Sequence, residues 1–128
     1  MDDTAHIAGL AQFLDKKSAR RFGKLAAIPK RRHDIADMLC HKFWPESKYI
    51  IDCAKATKDE ILLQLRQLKS PENVFVFGAS CVPGMVMNLS DAVSEIYGYA
   101  AGQIVSCVPG KLAFFEGEDI GDRMILCR

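Results

Sequence analysis

Three groupings in this sequence have residue types and spacing suited to chemistry. His33, Asp37 and His41 form an H-x3-D-x3-H row. Residues four apart stack on one face of a helix, the arrangement by which helices chelate zinc. Gly78-Ala79-Ser80-Cys81-Val82-Pro83-Gly84 follows an apolar run. Open α/β sheets place ligands in loops at strand ends, so Ser80 and Cys81 are candidates for a nucleophile or a polar anchor. Glu116, Glu118, Asp119 and Asp122 gather carboxylates near the C-terminus, a grouping suited to a hard cation or to proton transfer.

None of the three is a complete set. At about 100° per residue the histidine row lies nearly opposite Ile35, Leu39 and Phe43, so it faces outward and reads as solvated surface with a weak claim on a metal. Cys40 and His41 are adjacent in sequence, which makes their side chains diverge on the same wheel. The 78–84 segment has neither G-x-S-x-G nor a Walker A pattern and reads as a structural loop with a packed Cys81. Glu116 and Glu118, two apart, are expected to share one face of an extended strand as part of an acidic surface patch. The five cysteines are odd in number and form no C-x-x-C pair, which argues for reduced thiols in a cytoplasmic protein rather than disulfides or a zinc ribbon. No cofactor is expected.

The sharper signal is the placement of charge. The formal net charge is only +1. Residues 1–43 carry nine Lys/Arg against five Asp/Glu, and residues 44–128 carry eight against eleven. Between Asp15 and Asp34 there is no acid, while Lys16, Lys17, Arg20, Arg21, Lys24, Lys30, Arg31 and Arg32 fall inside that window. On a helix over about 18–27, Lys17, Arg20, Arg21 and Lys24 make one stripe, with Ala19, Phe22, Leu25 and Ala26 behind it. Like charges three and four apart cost a helix a few tenths of a kcal/mol per pair, so this ridge is retained against its own repulsion unless the C-terminal acids neutralise it. An acidic protein surface and nucleic acid phosphates are the two partners that such a ridge suits. Nucleic acid is the weaker match, because aromatic residues are not interleaved and the whole chain is not strongly basic.

Apolar residues at helical spacing predict helices over 3–14, 18–27 and 29–43, with Pro29 suited to a first helical turn and Trp44-Pro45 ending the last. Tyr49 to Cys53 reads as a short strand. Thr57-Lys58-Asp59-Glu60 is a capping box opening a helix that directs Ile61, Leu62, Leu65 and Leu68 inward. Val74-Phe75-Val76-Phe77 is apolar on both faces, the signature of a central strand. A helix at 89–97 and strands at 103–108, 111–116 and 123–127 follow, with a type II turn at Pro109-Gly110.

These elements predict an α+β fold over 1–128 as a single domain. A helical third (1–44) would pack on a four- to five-stranded mixed sheet (45–128) ending in an antiparallel meander. Strand 74–78, helix 89–97 and strand 103–108 are expected to form a right-handed parallel crossover. At 49% hydrophobic and 26% charged residues the composition is that of a globular protein rather than a disordered one. No apolar run approaches the ~18 residues of a membrane span, and Met1-Asp2-Asp3 is acidic where a secretory leader is basic. The expected function is that of a small non-catalytic interaction or regulatory protein. It would bind an acidic macromolecule through Lys17, Arg20, Arg21, Lys24, Lys30, Arg31 and Arg32. A nucleic-acid-binding accessory domain is the alternative, and a small enzyme built on the 78–84 loop the third reading.

Overall fold

The computed structural model describes residues 3–41, 43–78, 81–99, 101–118 and 122–128. Helix α1 (Asp3–Gly9) runs into a 3-10 turn at Leu10–Phe13, followed by α2 (Lys16–Ala26), a 3-10 turn at Pro29–Arg31 and α3 (Arg32–His41). A short strand β1 (Ile50–Asp52) precedes α4 (Lys58–Gln67), β2 (Asn73–Gly78), β3 (Cys81–Asn88) and α5 (Leu89–Ile96). Strands β4 (Gln103–Val108), β5 (Leu112–Glu116) and β6 (Arg123–Cys127) complete the chain. The fold is α+β, with helices on a sheet of order β1-β6-β5-β4-β2-β3.

The sheet has six strands and every pairing in it is antiparallel. This corrects the mixed sheet and the parallel crossover expected from sequence. The difference is one strand. Residues 81–88, read as a loop because of Pro83-Gly84, instead form β3, hydrogen-bonded to β2 with a bulge between Val76 and Gly78. β3 lies at the edge of the sheet and Pro83 within its irregular stretch, and edges and bulges are where a sheet accepts proline. Gly84 belongs there too: a Cβ at this position would lie 2.2 Å from Cζ of Phe75, so the ring rests directly on the glycine backbone. The extra strand reverses the chain before α5, and β4 therefore meets β2 antiparallel.

Period-2 alternation divides the sheet into two apolar faces. Phe75, Phe77, Ile104, Ala113, Phe115 and Leu126 face the N-terminal helices and meet Ile7, Leu10, Phe13, Phe22, Ile35 and Leu39. Val74, Val76, Val105, Leu112, Phe114 and Ile125 face the other way and meet Ile61 and Leu65 of α4 and Leu89, Val93 and Ile96 of α5. A sheet covered on both sides explains why β2, β4 and β5 are apolar without alternation. Each fully buried Phe or Leu contributes about 1.5–3 kcal/mol.

Local signals read from the sequence are present. Thr57 accepts from the Glu60 N–H at 3.2 Å, and the Glu60 carboxylate accepts from the Thr57 N–H at 3.0 Å. The Lys111 N–H donates to the Val108 carbonyl at 3.0 Å, closing the turn at Pro109-Gly110. Among the described residues no helix is long and apolar enough to cross a membrane.

Candidate functional site

Helix α2 begins at Asp15, whose carboxylate accepts from the Ser18 N–H at 2.8 Å. That hydrogen bond is the main reason the Asp15 carboxyl sits below its usual range, with Lys17 adding a smaller pull in the same direction. Phe22 and Ala26 are buried under the helix, and Phe22 packs on Phe43 of the segment after α3 at 6.3 Å between ring centroids. This anchoring turns Lys17, Arg20, Arg21 and Lys24 outward, and all four are exposed. Lys30, beyond the helix, is exposed as well. Among the described residues these five cations have no carboxylate within ion-pair distance. Arg31 differs: its guanidinium pairs with Asp34 one turn on. Arg32 is half-buried at the start of α3. Beside the ridge, Ala11, Leu14 and Ala19 together with Gln12, Lys16 and Arg20 line an open groove of about 430 Å³.

Of the C-terminal acids, Glu116 and Glu118 are engaged elsewhere. Glu116 is 1% exposed and paired with Arg123, its register partner across the β5–β6 hairpin. Arg123 lies over the Tyr97 ring at 4.0 Å and donates to the Ala54 carbonyl at 3.0 Å. Burial alone would pull the guanidinium down, but the Glu116 hydrogen bond and charge more than offset that and raise it. Glu118 turns instead toward α3, where its carboxylate stands 3.3 Å from Nδ1 of His41. The two glutamates therefore do not share a face, contrary to the expectation from an extended strand: β5 ends at Glu116 and the chain bends before Glu118. Asp119 lies outside the described residues.

Of the 78–84 candidates, Ser80 lies outside the described residues. Cys81 is the first residue of β3, half-buried, with its Sγ 3.6 Å from the Val76 carbonyl. Burial pushes its thiol up, the Glu95 charge adds to that, and a hydrogen bond with the Met85 backbone opposes it. A reactive cysteine needs the opposite shift. The parallel strand end on which a ligand loop was expected is replaced by the β2–β3 hairpin.

The histidine row is exposed as expected: His33, Asp37 and His41 all face solvent. His41 Nε2 lies 3.7 Å from the Asp37 carboxylate one turn back, whereas His33 joins no metal-sized cluster among the described residues. What does converge is Cys40, His41 and Glu118, whose donor atoms lie within 4.8 Å of one another. Cys40 and His41 were set aside in sequence because adjacent helical side chains diverge. They meet because the chain after β5 brings Glu118 up to the C-terminal end of α3. Cys40 is held there by backbone contact, since a Cβ on Gly102 would lie 2.3 Å from its Cα. Gly102, at φ +72°, both adopts the left-handed conformation and admits the helix. Burial pushes the Cys40 thiol up, and the Glu118 and Asp37 charges push it further. The cluster opens on a small cavity of about 100 Å³ that Phe43, Trp44, Phe115 and Asp122 also line. No spacing rule links residues 77 positions apart, so this grouping had no signature in the sequence. Comparison with protein-family models, with curated proteins and with solved structures finds no match to this chain.

Proposed function

We propose that this chain is a small non-catalytic interaction protein, cytoplasmic, that docks an acidic protein segment on the α2 ridge. The observation that carries the reading is the set of five exposed cations, Lys17, Arg20, Arg21, Lys24 and Lys30, none with a carboxylate within ion-pair distance among the described residues. Two of the acids that could have neutralised them internally, Glu116 and Glu118, stand instead beside Arg123 and His41. An acidic partner relieves the like-charge repulsion along α2, while complementary charge speeds encounter and excludes wrong partners. The adjoining groove favours a polypeptide over nucleic acid, because Ala11, Leu14 and Ala19 in its lining give apolar side chains of a partner contacts beside the cations. Five free thiols fit a reducing compartment.

The test is binding of polyglutamate, and separately of random-sequence duplex and single-stranded DNA, across a salt series. Polyglutamate is expected to bind at low salt, more weakly as salt rises, and to be lost on Arg20→Glu/Arg21→Glu. Tighter, steeply salt-dependent DNA binding by the same residues transfers the ridge to the nucleic-acid alternative. Indifference of both polymers to the double variant removes the ridge as an interaction surface.

A further inference from the structure

The second cluster on this molecule stands apart from α2 and is built from different chemistry. Cys40 offers a sulfur, His41 an imidazole and Glu118 a carboxylate, with all three donor atoms inside 4.8 Å. We infer that Cys40, His41 and Glu118 form a transition-metal site of zinc type, clipping the C-terminal end of α3 to the chain that follows β5.

Ligand type selects the ion. A thiolate beside an imidazole favours zinc-like borderline metals, whereas magnesium and calcium demand oxygen donors throughout. Size agrees as well. Bonds of about 2.0–2.3 Å at tetrahedral angles put zinc donors roughly 3.3–3.8 Å apart, and His41 Nδ1 already stands 3.3 Å from Glu118. His41 and Glu118 side chains are 52% and 53% exposed, which leaves them the rotamer freedom to close the remaining distance. Cys40 is the fixed corner, held by the Gly102 contact.

The other imidazole nitrogen supplies a further argument. Metal-ligating histidines donate their second N–H to a carboxylate, which sets the tautomer and orients the ring. With Nδ1 toward the cluster, His41 Nε2 faces Asp37 at 3.7 Å, longer than a hydrogen bond, and the 73% exposed Asp37 side chain is free to swing in and close that gap. A row that looked in sequence like a three-ligand site thus supplies one ligand, His41, and one orienting group, Asp37. Three protein ligands leave a fourth position, which a water molecule from the adjoining cavity would fill. On binding, the metal displaces the Cys40 thiol proton to solvent and the sulfur coordinates as thiolate.

The experiment titrates the reduced full chain with Co²⁺ and follows the thiolate-to-cobalt charge-transfer band, then displaces the cobalt with Zn²⁺ against a chromophoric chelator. One equivalent and a charge-transfer band are expected. Cys40→Ser should abolish the band, and His41→Ala, at a half-exposed position, should abolish stoichiometric binding without altering the circular dichroism. Asp37→Asn should weaken the metal about 10- to 100-fold, while His33→Ala should change nothing. Absence of the band in the wild-type chain, or its persistence in both Cys40→Ser and His41→Ala, overturns the site. Neither result touches the α2 ridge, whose polymer-binding test involves none of these residues.

Discussion

Arg123 and Glu116 face each other across the last hairpin and are buried together beneath Tyr97, their side chains 11% and 2% exposed. Taking two charges out of water is costly, and further hydrogen bonds offset part of that cost. The guanidinium reaches the Ala54 carbonyl, and the Gly98 N–H donates to the Glu116 carboxylate at 3.3 Å. Removing one partner strands the other charge, so Arg123→Met is expected to cost about 3–5 kcal/mol. Adding Glu116→Gln to Arg123→Met should recover most of that loss. Urea midpoints of the two variants check both statements, and a double variant as unstable as the single would show that the charge pair is not the source.

On α2 the expectation is opposite in sign. Arg20 has Lys17 three residues before it and Lys24 four after it, and like-charge pairs at these spacings cost a few tenths of a kcal/mol each. Arg20→Gln should therefore raise stability at low ionic strength by roughly 0.5 kcal/mol, and the gain should fade as salt screens the ridge. Thermal unfolding in low and high salt measures it. A variant that is more stable yet binds polyglutamate less well would place the ridge among surfaces kept for interaction at some expense of stability.

The opening of α4 provides a third check. Thr57→Ala removes the side-chain acceptor for the Glu60 N–H and is expected to cost about 1 kcal/mol. The reciprocal hydrogen bond from the Thr57 N–H holds the Glu60 carboxyl below its ordinary value. A depressed folded pKa means the cap is fully effective above the ordinary glutamate value of 4.5 and is lost as pH falls below it. The acid limb of the stability profile should accordingly flatten in Glu60→Gln, as read from urea midpoints between neutral and acidic pH.

Two buried thiols set the alkaline limb. Burial pushes Cys107 up to about 12, against a smaller lowering by Ser70. Burial likewise pushes Cys53 up to about 11, with Arg123 opposing and Asp52 and Glu116 adding to the rise. The unfolded chain ionises both near 9.0, so their contribution is complete below that pH and is lost as pH rises through the folded values. Stability should fall between about pH 9 and 11, and less steeply in Cys53→Ala/Cys107→Ala. In the native protein both thiols should resist an alkylating reagent at pH 8 while the unfolded chain reacts at all five.

Much of this molecule was legible along the chain. The helical third, the apolar β2, the Thr57-Glu60 box, the Pro109-Gly110 turn and the outward stripe of α2 all follow from periodicity and capping, which depend on residues a few positions apart. The misreading of the sheet has one origin. Pro83-Gly84 marks a break in any local reading, yet an edge position and the Phe75 ring make a strand of it, and with that strand the polarity of the whole sheet changes.

What the sequence by itself determined is the set of faces: which side of each helix is apolar, where the cations stand, and which strands must be covered on both sides. Only the tertiary structure decided the partners. Glu116 became a buried ion-pair member rather than a surface acid, and Glu118 came to stand beside His41 across 77 positions. The physical reason is that hydrophobic period and capping are settled within a turn or two of chain. Pairing between distant residues depends instead on which long loops close, and that choice is made by the packing of all the layers together.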